Sequence, residues 1–140
     1  MIYIDTSVLA AYYCPEPLSS RAQRALAEAG ERAISSLGEV ELVSALARKV
    51  RSREMRRPDA ERIFAVFQSH LDQGIYTRLA LDATHYAKAR DWLRTFTVPL
   101  QTLDALHAAV AALQDCPLLT ADIALAKACA NVGVRARLIG

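Results

Sequence analysis

The sequence predicts an α/β fold in which helices cover both faces of a parallel sheet. Short apolar runs alternate along the chain with longer segments that have helical periodicity, the pattern of strands separated by helices. Glycines and prolines stand between these segments, where helices and strands end. The 140 residues are 53% hydrophobic, which excludes a disordered or low-complexity chain. We expect four to five strands and about seven helices in a single domain over residues 1–140.

Two strands and two helices are predicted in the first part of the chain. The apolar run Ile2–Ile4 ends at an acid and suits a strand, and the helix that begins at Thr6 must end before Pro15, because proline interrupts helical hydrogen bonding. Leu18–Ala29 is rich in alanine and is followed by a glycine, which predicts a helix and its end. Ala33–Ser35 is the next short strand.

A pair of longer helices is predicted next. The first covers Leu37–Ser52, and Pro58 suits the first turn of the second, which Gly74 ends. Each carries an apolar stripe that we expect to face the core. The stripes consist of Val40, Val43, Leu46, Ala47 and Val50 on the first helix, and of Ile63, Val66, Phe67 and Leu71 on the second.

The second half of the chain repeats the alternation of strands and helices. The predicted elements are a strand over Tyr76–Leu81, a helix capped by Asp82 that reaches Thr95, a helix over Thr102–Leu113, a strand over Leu118–Thr120, a helix over Asp122–Asn131 and a strand over Val134–Ile139.

Several classes of protein are excluded by composition. Cys14, Cys116 and Cys129 are odd in number and widely spaced, which argues against a disulfide framework or a zinc site. No apolar run approaches the roughly 18 residues of a membrane span. The start of the chain lacks the basic and apolar regions of a signal peptide. We therefore expect a cytoplasmic protein without a membrane partner.

The positive charge is concentrated in one segment. Arg48–Arg62 contains seven cations and three acids, a local net charge of 7 − 3 = +4 in a chain whose total is +2. One interpretation is a solvated pair of helices whose charges pair locally, Arg57 with Glu54 and Glu61. The other is a surface that guides RNA phosphates. Its candidate residues are Arg51, Arg53, Arg56 and Arg57.

Four acids are candidates for a common site. Asp5 and Asp122 follow predicted strands, and ligand sites of parallel sheets form beyond the carboxyl ends of strands. Asp104 lies in the first turn of a helix. Each aspartate could instead cap a helix, as Asp82 is expected to do. Glu41 has no cation three or four residues away, although periodicity alone does not favour it over its neighbour at position 39.

A cluster of these four acids would have definite chemistry. Clustered carboxylates raise one another's pKa unless a cation neutralises them. Oxygen ligands without histidine or cysteine suit Mg²⁺ or Mn²⁺. Such ions activate water and polarise phosphoryl oxygens, which predicts phosphodiester hydrolysis.

The chain resembles the PIN-domain ribonucleases, and among them the VapC-type toxins of toxin–antitoxin pairs. The segments that carry this resemblance, in the family's order, are Ile2–Leu9, Ser35–Leu42, Thr102–Ala109 and Leu118–Asp122. The resemblance implies an αβα sandwich and a metal-dependent endoribonuclease. It implies that Asp5, Glu41, Asp104 and Asp122 bind Mg²⁺ or Mn²⁺ and are catalytic. It also favours Glu41 over Glu39, and implies that Thr6 and Thr120 orient water or carboxylates.

The resemblance also implies three partners: an RNA substrate, a VapB-like antitoxin and a second copy of the chain in a homodimer. The predicted helices Leu37–Ser52 and Pro58–Gly74 could contact any of them. Two other classes stay open. One is a non-catalytic PIN-like module that binds RNA or protein and uses the acids only as caps. The other is a phospho-acceptor domain, disfavoured because no lysine directly follows the last strands.

Overall fold

Five parallel strands form one sheet in the computed structural model, which describes residues 1–140. The strands are β1 (Ile2–Ile4), β2 (Arg32–Ser35), β3 (Thr77–Leu79), β4 (Leu118–Thr120) and β5 (Ala136–Leu138). The helices are α1 (Thr6–Tyr13), α2 (Ser19–Glu28), α3 (Ser36–Arg51), α4 (Arg57–Asp72), α5 (Ala83–Leu93), α6 (Thr102–Leu113) and α7 (Ile123–Asn131). None of the helices combines the length and apolarity needed to span a membrane.

The order of strands across the sheet, β3-β2-β1-β4-β5, reverses direction at β1. The chain first adds β2 and β3 on one side of β1 and then returns to place β4 and β5 on the other. β1 pairs with β4 so that Tyr3 lies opposite Leu118 and Ile4 opposite Leu119. In open parallel sheets, ligands bind beyond the carboxyl ends of the strands at such a reversal. The residues that follow β1 and β4 therefore occupy the favoured position for a site.

Two apolar clusters lie on opposite faces of the sheet and hold the layers together. One joins Val8 of α1, Leu26 of α2 and Phe67 of α4 to the sheet residue Ile34. The other contains six buried residues of α6, four of them alanines, together with residues of the sheet, α5 and α7. Small residues let α6 approach the sheet closely, since alanine leaves room for the backbone. The predicted α/β sandwich with seven helices is confirmed.

The predicted apolar stripe of α3 is largely wrong. The buried residues of this helix are Gly38, Leu42 and Leu46, spaced four apart, whereas the side chains of Val40 and Val43 are 68% and 43% exposed. A side chain at position 38 would contact α1, which shows that the glycine lies where the two helices approach. Both sets of residues have helical spacing, so periodicity alone could not select the face that packs.

The other predicted elements differ from the structure mainly at their ends. On α4, Phe67 and Leu71 are buried as predicted, but Val66 is 49% exposed. The strands predicted over Tyr76–Leu81 and Val134–Ile139 are shorter, at Thr77–Leu79 and Ala136–Leu138. The predicted cap at Asp82 is confirmed, because its carboxylate accepts a hydrogen bond from the backbone N of Thr84 at 2.9 Å.

Candidate functional site

The four predicted acids lie at the carboxyl edge of the sheet. Asp5 follows β1 and Asp122 follows β4, and these strands are neighbours at the point where the strand order reverses. Glu41 reaches the same place from the second turn of α3, and Asp104 from the first turn of α6. The charges of Asp5, Glu41 and Asp122 all act on Asp104, so residues far apart in sequence share one electrostatic environment.

Asp5 is the most buried of the four acids, and both of its carboxylate oxygens accept hydrogen bonds. Its side chain is 3% exposed. Oδ1 accepts hydrogen bonds from Ser7 Oγ at 2.5 Å and from the backbone N of Val8 at 3.2 Å, and Oδ2 accepts one from Thr120 Oγ1 at 2.6 Å. Burial raises the pKa of Asp5, and these hydrogen bonds oppose that effect. The carboxylate is therefore fixed in place.

Glu41 is bound to two polar side chains from other helices. Its Oε1 accepts a hydrogen bond from Thr6 Oγ1 at 2.8 Å and is also in short contact with Nε2 of His107. Burial acts to raise the pKa of Glu41, but the hydrogen bond and charge of His107, with help from Thr6, outweigh it and lower the pKa. Glu41 has no cation within four residues in the sequence, and its partner His107 comes from α6 instead.

Glu39 points to a different part of the surface. Both of its carboxylate oxygens accept hydrogen bonds from the guanidinium of Arg78 on β3, at 2.7 and 3.1 Å. The two glutamates of α3 thus have different partners: Glu39 forms a bidentate ion pair, and Glu41 joins the acidic cluster. This distinction, which helical periodicity could not supply, follows from the tertiary contacts.

His107, like Ser7, belongs to this site although the sequence assigned it no role. It is 3% exposed and lies three positions after Asp104, on the same face of α6. Its Nδ1 is 2.6 Å from the hydroxyl of Tyr3, which is in turn 2.7 Å from Ser35 Oγ. Burial raises the pKa of Tyr3, which keeps its hydroxyl protonated. The three-residue spacing from Asp104 was the available signal for His107.

Asp104 differs from the other acids because its side chain makes no hydrogen bond or ion pair with the protein. It is partly buried, and it lines a cavity of about 650 Å³ together with Glu41. Burial raises the pKa of Asp104, and the negative charges of Asp122, Asp5 and Glu41 raise it further against the opposing charge of His107. An unpartnered carboxylate in this environment is one that a cation would stabilise.

Asp122 both caps a helix and faces the cluster. Its Oδ1 accepts hydrogen bonds from the backbone N atoms of Ala124 and Leu125 at 2.9 and 3.1 Å. Its own backbone N donates to Thr120 Oγ1 at 3.0 Å. The hydroxyl of Thr120 therefore connects Asp5 with the start of α7. Asp5 and Asp122 therefore cap α1 and α7, as one interpretation of the sequence predicts. The cap of Asp122 uses only Oδ1, so its other carboxylate oxygen makes no hydrogen bond.

The donor chemistry of this edge suits a hard divalent cation. The available oxygens include Glu41 Oε2, Asp122 Oδ2 and both oxygens of Asp104, which make no hydrogen bonds within the protein. Carboxylate oxygens are the ligands that Mg²⁺ and Mn²⁺ prefer. As the side chains stand, no three acidic, histidine or cysteine residues form a ready ligand set.

The arginine-rich segment lies away from the acids. Arg51 follows Glu41 by ten residues along α3, roughly 15 Å along the helix axis. Arg51, Arg53 and Arg56 are exposed and form no ion pair, and Arg57 pairs with Glu61 at 3.0 Å. The expected pair between Glu54 and Arg57 is wrong. Glu54 lies 3.7 Å from Lys49 instead, because the chain turns between α3 and α4.

Comparisons with known proteins identify relatives of this fold. The sequence matches the family model of the PIN domain over residues 2–131. FitAcB from Neisseria gonorrhoeae is 20% identical, with a TM-score of 0.73 over 99% of this chain and 98% of that chain. VapC20 from Mycobacterium tuberculosis, described as a toxin that cleaves the sarcin–ricin loop, is 20% identical, with a TM-score of 0.72 over 91% and 95%. VapBC2 from Rickettsia felis, bound to a DNA fragment from its promoter, is 20% identical, with a TM-score of 0.70 over 99% and 98%. No curated protein matches the sequence.

Proposed function

Because the chain belongs to the PIN-domain family, we propose that it is a metal-dependent endoribonuclease and the toxin of a VapBC-type toxin–antitoxin pair. The observation that carries the proposal is Asp104, a partly buried carboxylate without a protein partner beside three other acids. Structural neighbours described as toxins and toxin–antitoxin complexes support the biological role. We further propose that residues 1–140 act as a single PIN-like domain.

The four acids would hold Mg²⁺ or Mn²⁺ in this proposal. When bound, the ion activates the attacking water and neutralises charge on the phosphodiester. The protein supplies the positions of its ligands. Ser7 and Thr120 fix the carboxylate of Asp5, and Thr6 fixes that of Glu41. Such supporting contacts orient metal ligands and typically change metal affinity by about 10–100-fold when removed.

His107 would position Glu41 through a continuous chain of hydrogen bonds. The hydroxyl of Ser35 accepts from the backbone N of Gly38 and can donate to Tyr3, whose hydroxyl can donate to His107 Nδ1. Nε2 of the imidazole is a donor to Glu41 in both the neutral Nε2-protonated form and the charged form of His107. This direction of donation leaves Glu41 as an acceptor, so that its second oxygen stays available to an ion or to water.

The proposal is tested by comparing the two glutamates of α3. Glu41→Gln should lower metal-dependent cleavage of a single-stranded oligoribonucleotide by about 100-fold or more, because it removes a charged ligand. Glu39→Gln is the matched control on the same helix and should cleave at the rate of the unmodified protein. Cleavage should stop in EDTA and return with Mg²⁺ or Mn²⁺. Equal rates for the two variants, with both folded, would refute the assignment.

A non-catalytic binding module is the second candidate, since Asp5 and Asp122 do cap α1 and α7. The two candidates differ in their response to Mn²⁺. For the nuclease, Mn²⁺ should raise the melting temperature, and replacing two of the four acids should abolish that rise. A binding module that uses the acids only as caps should show no rise in either protein.

We also propose contacts with RNA and with partner proteins. Arg51, Arg53, Arg56 and Arg57 are exposed, and three of them have no acidic partner, which suits contact with RNA phosphates. Charge reversal of these four should weaken RNA binding and make its salt dependence shallower. A VapB-like antitoxin and a second copy of the chain are the proposed protein partners, in keeping with the VapBC complexes among the structural neighbours.

A further inference from the structure

An open groove runs between α5 and α6 on the side of the molecule next to the acids. It has a volume of about 820 Å³. The residues that characterise it are Tyr86, Arg90, Arg94 and Phe96, and we call it the base groove. None of these residues takes part in the acidic cluster described above.

Two aromatic rings of the base groove are unusually exposed. Phe96 is 92% exposed and Tyr86 is 57% exposed. Phe96 has a φ of 60°, a conformation that bulky residues rarely adopt, and its backbone N donates a hydrogen bond to the carbonyl of Leu93 at 3.0 Å. The loop therefore holds an apolar ring outward, where the ring gains nothing from burial within this chain.

The charge of the base groove is positive. Its ten lining residues include two arginines and no acid. Arg94 makes no ion pair, and Arg90 has only its exposed neighbour Asp91, at 3.6 Å. Exposed aromatic rings and guanidinium groups that line one groove are a combination that binds single-stranded nucleic acid, because bases stack on the rings while arginine contacts phosphates.

The base groove is continuous with the acidic site. Leu93 and Thr102 line both this groove and the cavity that contains Glu41 and Asp104. We propose that the base groove binds an unpaired nucleobase adjacent to the phosphodiester that is cleaved. Phe96 and Tyr86 stack on the base, and Arg90 and Arg94 contact the flanking phosphates. The inference rests on the proposed nuclease function.

The test is RNA binding measured without cleavage. The affinity of a fluorescent single-stranded oligoribonucleotide is determined by anisotropy in EDTA for the unmodified protein, Phe96→Ala, Phe96→Trp and the control Phe64→Ala. Phe64 is an exposed phenylalanine on α4, outside the base groove. Phe96→Ala should weaken binding by about 5- to 150-fold, the range for loss of one stacked base. Phe96→Trp should restore it, and Phe64→Ala should leave it unchanged.

Two further measurements separate base stacking from phosphate contacts and from self-association. Replacing the bases by abasic nucleotides should remove the difference between the unmodified protein and Phe96→Ala, since only stacking requires a base. Sedimentation should show the same oligomeric state for both. If Phe96→Ala keeps its RNA affinity, the inference is overturned, and a simultaneous change of oligomeric state would identify the groove as an interface between copies of the chain.

The outcomes also distinguish this inference from the proposed function. Cleavage that needs Glu41 but not Phe96 would retain the nuclease and overturn the base groove. Binding that needs Phe96, in a protein that cleaves no RNA with any divalent ion, would retain the groove and overturn the nuclease.

Discussion

Replacement of Thr120 by valine should destabilise the protein more than its small change in shape suggests. Thr120 is fully buried, and its hydroxyl donates to Asp5 Oδ2 at 2.6 Å and accepts from the backbone N of Asp122 at 3.0 Å. Loss of a hydrogen bond to a charged group costs about 1.5–3 kcal/mol, and an unsatisfied backbone N–H adds about 1 kcal/mol or more. We expect Thr120→Val to lower the free energy of unfolding by about 2–4 kcal/mol.

Thr120→Ser is the matched control, because serine keeps the hydroxyl and removes only a methyl group. Its expected cost is about 1 kcal/mol, the value for one buried methyl. Both variants are measured by urea unfolding at neutral pH in EDTA, so that metal binding does not contribute. Mn²⁺ titration should then show affinity about 10–100-fold weaker for Thr120→Val alone. Valine and serine variants of equal stability would refute the role given to the hydroxyl.

Two further predictions concern the acids and the packing of α3. The raised pKa of Asp104 means that the metal-free folded state keeps this proton to higher pH than the unfolded chain, so its contribution to stability falls as pH rises through that range. In EDTA, the melting temperature of Asp104→Asn should therefore rise relative to that of the unmodified protein as the pH increases from 4 to 7.5. A difference that shrinks with increasing pH would contradict this. Leu42→Ala should lower the free energy of unfolding by about 2–5 kcal/mol in urea, because Leu42 is buried. Val40→Ala should change it by no more than about 0.5 kcal/mol, because Val40 is exposed. Similar losses for the two variants would contradict the packing of α3 through Leu42.

The alternation of strands and helices was readable from the sequence because it depends on local pattern. Short apolar runs and helix-ending glycines and prolines gave the element order, and the residues next to β1 and β4 could be placed at the carboxyl edge. The packed face of α3 was not readable, since two sets of apolar residues share helical spacing. The face that packs is the one on which Gly38 lies against Thr6 and Leu9 of α1, a contact between residues distant in sequence.

The side chains that contact the candidate acids also could not be predicted from local sequence patterns. Glu39 and Glu41 are two residues apart on one helix, and what separates them is Arg78 on β3 for one and His107 on α6 for the other. Both partners are distant in sequence. His107 could have been noticed through its spacing from Asp104, but its contact with Tyr3 requires the central strand to lie beneath α6.

Capping and metal binding are compatible uses of the same acids. The N-termini of α1, α3, α6 and α7 all lie at the carboxyl edge of the sheet, because each follows a strand or the loop that leads to this edge. A helix N-terminus carries a partial positive charge, which stabilises a carboxylate and can leave one of its oxygens free to bind an ion. Asp122 shows this arrangement: one oxygen accepts from the backbone of α7, and the other makes no hydrogen bond. Helix ends can therefore hold the acids together before any ion binds, while the residual repulsion felt by Asp104 remains to favour a cation.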